Sequence, residues 1–166
     1  MHHLPPESPE SPGPTDLACV CTSVRKAARA VSRGYDAALG PQDLNANRLA
    51  ILRTIARAGE LPLSRLAEAL VMDRTSLYRA IGPMVRSSWI AVDAAPRGRA
   101  RIARLTALGR DVMDGAAAPW EAAQTALVEA FGVERWRSLQ RELQALVTTA
   151  GRLDPATAPG TVAPAP

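Results

Sequence analysis

The chain is short of several things at once, and each shortage removes a class of answer. Histidine occurs only at His2 and His3, so no histidine is available in the body of the chain for general acid/base catalysis or for a His-containing metal motif. There is no G-x-S-x-G run and no phosphate-binding loop, and a cysteine nucleophile would lack a histidine partner. The expectation is therefore a protein that is not an enzyme and carries no cofactor and no metal. Aromatic residues number only six (Tyr35, Tyr78, Trp89, Trp120, Phe131, Trp136) beside abundant alanine and leucine, which argues against an aromatic-cored β-sandwich and for a helical protein. No apolar run of about 18 residues is present, and the N-terminus has neither the basic start nor the apolar stretch of a signal peptide. A soluble, cytoplasmic protein with no membrane partner is expected. The two cysteines, Cys19 and Cys21, make neither a disulfide framework nor a CxxC zinc knuckle.

Lysine is the scarcest charged residue, because Lys26 stands alone against 19 arginines. Arginine presents a planar fork suited to phosphate and to base edges, although a coding sequence rich in G and C favours it too. Position is therefore more informative than number. The net charge of +4 conceals a segmentation: residues 1–24 carry −3, 25–64 carry +4, 65–110 carry +6 and 111–166 carry −3. A basic middle lies between acidic ends.

Residues 1–14 are proline-rich and residues 153–166 are mostly Pro, Ala and Thr, so both are expected to be disordered tails. Thr15 and Asp16 offer an N-cap, and Leu17, Val20, Val24, Ala27, Val31 and Tyr35 then recur at three- and four-residue steps up to Leu39, before Gly40-Pro41. This predicts a long amphipathic helix within 15–43 whose heptad-like seam needs a partner helix. Three shorter helices follow. The first has Leu49, Leu52, Ile55 and Ala56 on one face and ends at Gly59. Ser64 caps the second, which carries Leu66, Ala67 and Leu70, and Asp73 caps the third, over about Arg74 to Arg86. Trp89–Val92 and Ile102–Leu105 read as a β-hairpin about a Pro/Gly tip. Thr106 caps a further helix to about Phe131, which Pro119 should kink or interrupt, and Gly132-Val133 starts a last one with Trp136, Leu139, Leu143 and Leu146 as its stripe. The fold class is thus mainly α with a small β-hairpin wing. A winged helix-turn-helix lobe at 44–106 lies between dimerisation helices at 15–43 and 107–152.

In that order of elements the last of the three short helices enters the DNA major groove, and the hairpin reaches a neighbouring groove or the phosphates. The +6 segment covers both. Projected at about 100° per residue, Leu77, Ile81, Met84 and Val85 share one face of the helix. Thr75, Ser76, Arg79 and Arg86 lie opposite, where hydroxyls and guanidinium forks suit phosphates and guanine O6/N7. Arg74 and Tyr78 project nearer the inner face, though Arg74 in the first turn can reach a phosphate. Pro83 should bend or shorten the helix behind this surface. In the hairpin Arg97, Arg99 and Arg101 alternate and would share one side of a regular strand, as a narrow A·T-rich minor groove would favour.

The runs Leu63-Ser64-Arg65-Leu66-Ala67-Glu68-Ala69-Leu70, Met72-Asp73-Arg74-Thr75-Ser76-Leu77-Tyr78-Arg79 and Arg101-Ile102-Ala103-Arg104-Leu105-Thr106-Ala107-Leu108-Gly109-Arg110 resemble those of MarR-type transcriptional regulators, over about residues 17 to 150. The resemblance implies a homodimer with intertwined terminal helices and two winged-helix lobes on a pseudo-palindromic operator. It also implies repression relieved by a small ligand, of an aromatic or phenolic kind, or by an oxidant. It carries DNA contact onto Thr75, Ser76 and Arg79 and onto wing residues Arg97 and Arg99. Family wings commonly have an Asp buttressing an Arg near the tip. Here the nearest acid is Asp93, so either Asp93 substitutes from the strand or the wing is looser.

Two routes of control suggest themselves. Cys19 and Cys21 would sit in the first helix one turn after its cap, where the helix N-terminus lowers a thiol pKa, with Cys21 at the edge of the seam and Cys19 facing away. Oxidant sensing is one reading, and soft-metal or metalloid sensing, as in the Cys-Val-Cys of ArsR regulators, is another. A ligand pocket between the helical region and the lobe would be lined by Tyr35, Leu39, Leu49 or Trp89. A helical dimeric module that docks a protein through its lobe is the alternative to DNA binding.

Overall fold

The computed structural model describes residues 13, 15, 17–40, 43–95 and 100–154, and the chain divides into two compact units at 117/118. The first unit holds α1 (Val20–Leu39), α2 (Ala46–Ala58), β1 (Glu60–Pro62), α3 (Leu63–Ala69), α4 (Arg74–Arg86), β2 (Ile90–Ala94), β3 (Arg101–Leu105) and α5 (Ala107–Gly115). The second is made by α6 (Ala117–Phe131) and α7 (Val133–Leu153). The mainly helical fold with a small antiparallel wing is as expected. The sheet has three strands in the order β1-β3-β2, where the sequence pointed to two.

The lobe closes around α2. Leu49, Ile51, Leu52 and Ile55 of that helix are buried, as are Leu66, Leu77, Met84 and Ile90 around it, and each such side chain withdrawn from water contributes about 1.5–3 kcal/mol. Ile51 rather than Ala56 belongs to this core. Ala56 is exposed in the last turn, where the helix stops at Gly59 with φ +75°. Asn45 caps α2 by accepting the Arg48 amide, and the Asp36 carboxylate of α1 accepts the Ala46 amide at 2.7 Å, which fixes α1 to the start of α2.

Both turns that flank α4 are built the same way. After α3, the Val71 amide donates to Glu68 O and the Met72 amide to Ala67 O; after α4, the Ser88 amide donates to Val85 O and the Trp89 amide to Met84 O. This paired 5→2 and 6→1 closure requires a left-handed residue, usually glycine, but here it is occupied by Val71 (φ 52°) and Ser88 (φ 58°). A β-branched residue pays about 1–2 kcal/mol there, and Val71 is 74% exposed, so its side chain recovers little. Val71→Gly is expected to stabilise the lobe by about 0.5–1 kcal/mol once the added freedom of the unfolded chain is subtracted, read as a rise of roughly 2–3 °C in Tm. A fall in Tm would mean that the valine holds the turn through contacts of its own.

Thr106 joins the sheet to α5. Its hydroxyl donates to Ser88 O at 2.6 Å and accepts the Gly109 amide at 2.9 Å, while its own amide donates to Trp89 O. The single helix expected from Thr106 to Phe131 is two helices that break at Ala116. Pro119 lacks an amide, and its ring clashes with the carbonyl four residues back, at Gly115, so α5 ends there and the proline falls in the first turn of α6, where it is tolerated. Pro83, by contrast, does not shorten α4, which runs on to Arg86.

In α1 only Leu39 is buried, and no residue of α6 or α7 is. Val20, Val24 and Val31 stand exposed along α1, as does Leu139 in α7, while Trp136, Leu143 and Leu146 are half-buried.

Candidate nucleic-acid interface

The site begins at the cap of α4. Asp73 accepts the Ser76 amide at 2.9 Å through Oδ1 and the Ser76 hydroxyl at 2.6 Å through Oδ2. These bonds, the hydroxyl's first, hold the Asp73 carboxyl below the usual carboxylate range, so the cap persists above that range and is lost as pH falls through the lowered value. They also change the part assigned to Ser76. Its hydroxyl proton is committed to Asp73, which makes it a capping residue first and leaves only its lone pairs for another partner.

With Leu77, Ile81 and Met84 buried, α4 turns Arg74, Thr75, Ser76, Arg79 and Arg86 outward, all exposed. Val85, placed on the inner face by projection, is 39% exposed, and Tyr78 is exposed rather than inward. Both lie at the flank of the buried stripe, where no neighbouring element covers them. No acidic residue lies within α4 itself, so every charged side chain the helix turns outward is cationic. Gly82 and Pro83 interrupt the helix-forming composition, being worse than alanine by about 1 and 3 kcal/mol. Because Pro83 has no amide, the Arg79 carbonyl lacks its intrahelical donor.

The wing is described up to its tip. Arg97 and Arg99 lie outside the described residues. Arg101 is exposed at the start of β3, on the side of the strand that carries buried Ala103 and Leu105 further along, and its Nη2 donates to Val92 O at 3.2 Å. The sequence reading overlooked Arg104. Strands β2 and β3 pair Ala91 with Arg104 and Asp93 with Ile102, which sets Asp93 diagonal to Arg104. Arg104 Nη2 and Nε lie 2.9 and 3.1 Å from Asp93 Oδ2, so among the described residues Asp93 is engaged by an arginine of the neighbouring strand. The pair is half-exposed and contributes at most about 1 kcal/mol. Its signal was available in the sequence as opposite charges flanking a short hairpin, but pairing depends on a register that the tip length alone does not give.

Leu39, Leu49 and Trp89 are buried, whereas Tyr35 is half-buried with its hydroxyl pushed up by burial against the opposing pull of Arg53. Cys19 is the N-cap itself, one turn earlier in the helix than expected, because α1 starts at Val20 and not after Thr15. The exposed segment at Leu17 has no partner to reward extending the helix, so its end stays open. Both thiols are free and exposed. No side-chain hydrogen bond closes this cap, but the Thr22 amide, then its hydroxyl, then the Cys21 amide favour the thiolate and hold Cys19 below the ordinary thiol value. Among the described residues no three His, Cys, Asp or Glu come together to hold a metal, and no helix is long and apolar enough to cross a membrane.

No family model matches the chain, and no curated protein does. Solved structures do. The DNA complex of the M. tuberculosis transcriptional regulator MosR is similar over 80% of this chain and 96% of its own, at 29% identity and a TM-score of 0.73. A cysteine-to-serine mutant of MarR from E. coli, complexed with operator DNA, is similar over 76% and 92%, at 17% identity and a TM-score of 0.69. A probable transcriptional regulator from Pseudomonas aeruginosa is similar over 77% and 96%, at 18% identity and a TM-score of 0.68. Tri-helical lobe, capped cationic α4 and three-stranded wing together define a winged helix-turn-helix protein. Within that class its fold is similar to that of the MarR-type regulators, the family whose motifs the sequence resembles.

Proposed function

We propose that the protein is a sequence-specific, DNA-binding transcriptional repressor of the cytoplasm, with no enzymatic activity, that acts as a homodimer on a pseudo-palindromic operator. The observation that carries this reading is α4: a helix anchored by three buried side chains and an aspartate cap, presenting Thr75, Arg79 and Arg86 outward with no acid among them. A docking surface for a protein has no comparable need for arginine forks on one cationic face. The exposed apolar positions of α1 and α7 support the dimer, since a second copy would cover what one chain leaves to water. The wing is assigned to Arg97, Arg99 and Arg101, which would contact the minor groove or phosphates beside the half-site.

Release by a ligand or by oxidation completes the proposal. Cys19 favours it, being an exposed free thiol on a helix N-terminus with its pKa lowered. Tyr35, Leu39, Leu49 and Trp89 are the residues assigned to an aromatic effector.

Fluorescence anisotropy with duplexes from the adjacent promoter region tests the reading. Nanomolar binding to one duplex, with affinity falling by about 10³ between 50 and 200 mM salt, is expected. Equal affinity for unrelated duplexes, or no binding by a folded dimer at moderate salt, would refute it. The titration repeated after peroxide treatment is expected to show weakened binding by the parent protein and unchanged binding by Cys19→Ser.

A further inference from the structure

Gly82 lies beside Thr75 on α4, between Tyr78 and Thr75 when the helix is projected at about 100° per residue, and is half-buried. A fold gives glycine two ordinary reasons, and neither applies. Its φ is not positive, so the backbone needs no glycine for its conformation. A Cβ built on it meets only Arg86 Nη1, at 3.6 Å, which is ordinary van der Waals contact with the end of a flexible side chain. Among the described residues no other side chain or element lies within 4 Å of that Cβ. Gly109 offers the contrast within the same lobe, because a Cβ there would stand 2.0 Å from the Trp89 carbonyl oxygen. Gly82 is thus a poor helix former, placed before a proline, at a position that the free protein would fill more favourably with alanine.

We propose that Gly82 is a clearance position in the DNA-reading face, where the bare backbone of α4 abuts the duplex so that Arg79 and Arg86, on either side of it, both come within reach of DNA. The inference rests on the reading of α4 as the DNA-contact helix and specifies how closely that helix seats. A methyl group holding the helix about 1 Å further out would carry hydrogen bonds of about 2.9 Å beyond bonding distance. The missing side chain is then a determinant of affinity, as much a part of the site as the two arginines.

The test measures Tm and operator affinity for Gly82→Ala and Gly82→Leu, with Arg79→Ala in parallel. Both glycine variants are better helix formers, so Tm at or above the parent's is expected. Affinity is expected to fall by about tenfold for alanine and about a hundredfold for leucine, as the obstruction grows. Affinities within twofold of the parent for both glycine variants, while Arg79→Ala weakens binding, overturn the clearance role and leave the reading of α4 intact. If Arg79→Ala also binds like the parent, the reading of α4 fails and this inference with it. A marked fall in Tm for Gly82→Ala would show that the glycine serves the lobe's own packing, which likewise overturns the proposal.

Discussion

Replacing Gly109 with alanine is expected to destabilise the lobe by about 3 kcal/mol or more, the upper part of the range for forcing an added carbon into filled space. The methyl would sit 2.0 Å from the carbonyl oxygen of Trp89 and 2.9 Å from its carbonyl carbon. Both neighbours are backbone, and no rotamer change can move them aside. Relief requires α5 to move off the turn after α4, and that movement strains the Thr106 bonds to Ser88 O and Trp89 O and the Gly109 amide bond to Thr106 Oγ1. A fall in Tm of roughly 10 °C is expected by thermal unfolding. A Tm within about 2 °C of the parent's would show that α5 shifts as a body at little cost.

Arg79→Ala is expected to weaken operator binding by about 10- to 100-fold, the range of a bidentate contact of 1–3 kcal/mol, and to leave Tm unchanged because the residue is exposed and packs on nothing buried. The pattern across sequences identifies what the guanidinium touches. A base contact relaxes discrimination at one position of the half-site, whereas a phosphate contact weakens all duplexes alike and reduces the salt slope by about one. Full affinity in the variant would remove α4 from the interface.

Much of the lobe was legible because its signals are local. Asp73 and Thr106 cap the helices the sequence assigned to them, and α4 spans Arg74 to Arg86 as read, since a cap and an apolar stripe both lie within a few residues of each other. What escaped was decided at a distance. β1 is three residues ending in Pro62, with no alternation to read, and it becomes a strand only through Glu60, Leu61 and Pro62 pairing with Arg104, Ala103 and Ile102 some forty positions on. The left-handed closures at Val71 and Ser88 carry no glycine to announce them, and the exposure of Tyr78 and Val85 depends on which neighbours stop short of the flank of α4. Of the site, the outward positions of Thr75, Ser76, Arg79 and Arg86 followed from helical periodicity alone, whereas Arg74, which projects nearer the inner face, is exposed. The engagement of Ser76 by Asp73 and of Asp93 by Arg104 did not follow, because a pattern gives the side a residue faces but not the atom it holds.

The Thr106 junction has a mechanical consequence. One hydroxyl ties the carbonyl that ends the turn after α4 to the amide that begins α5, and the same residue closes strand β3. The turn after α4, strand β3 and α5 therefore meet at one residue through short directional bonds, in addition to their side-chain packing. A displacement of the first turn of α5 therefore acts first on the backbone of the turn that ends α4.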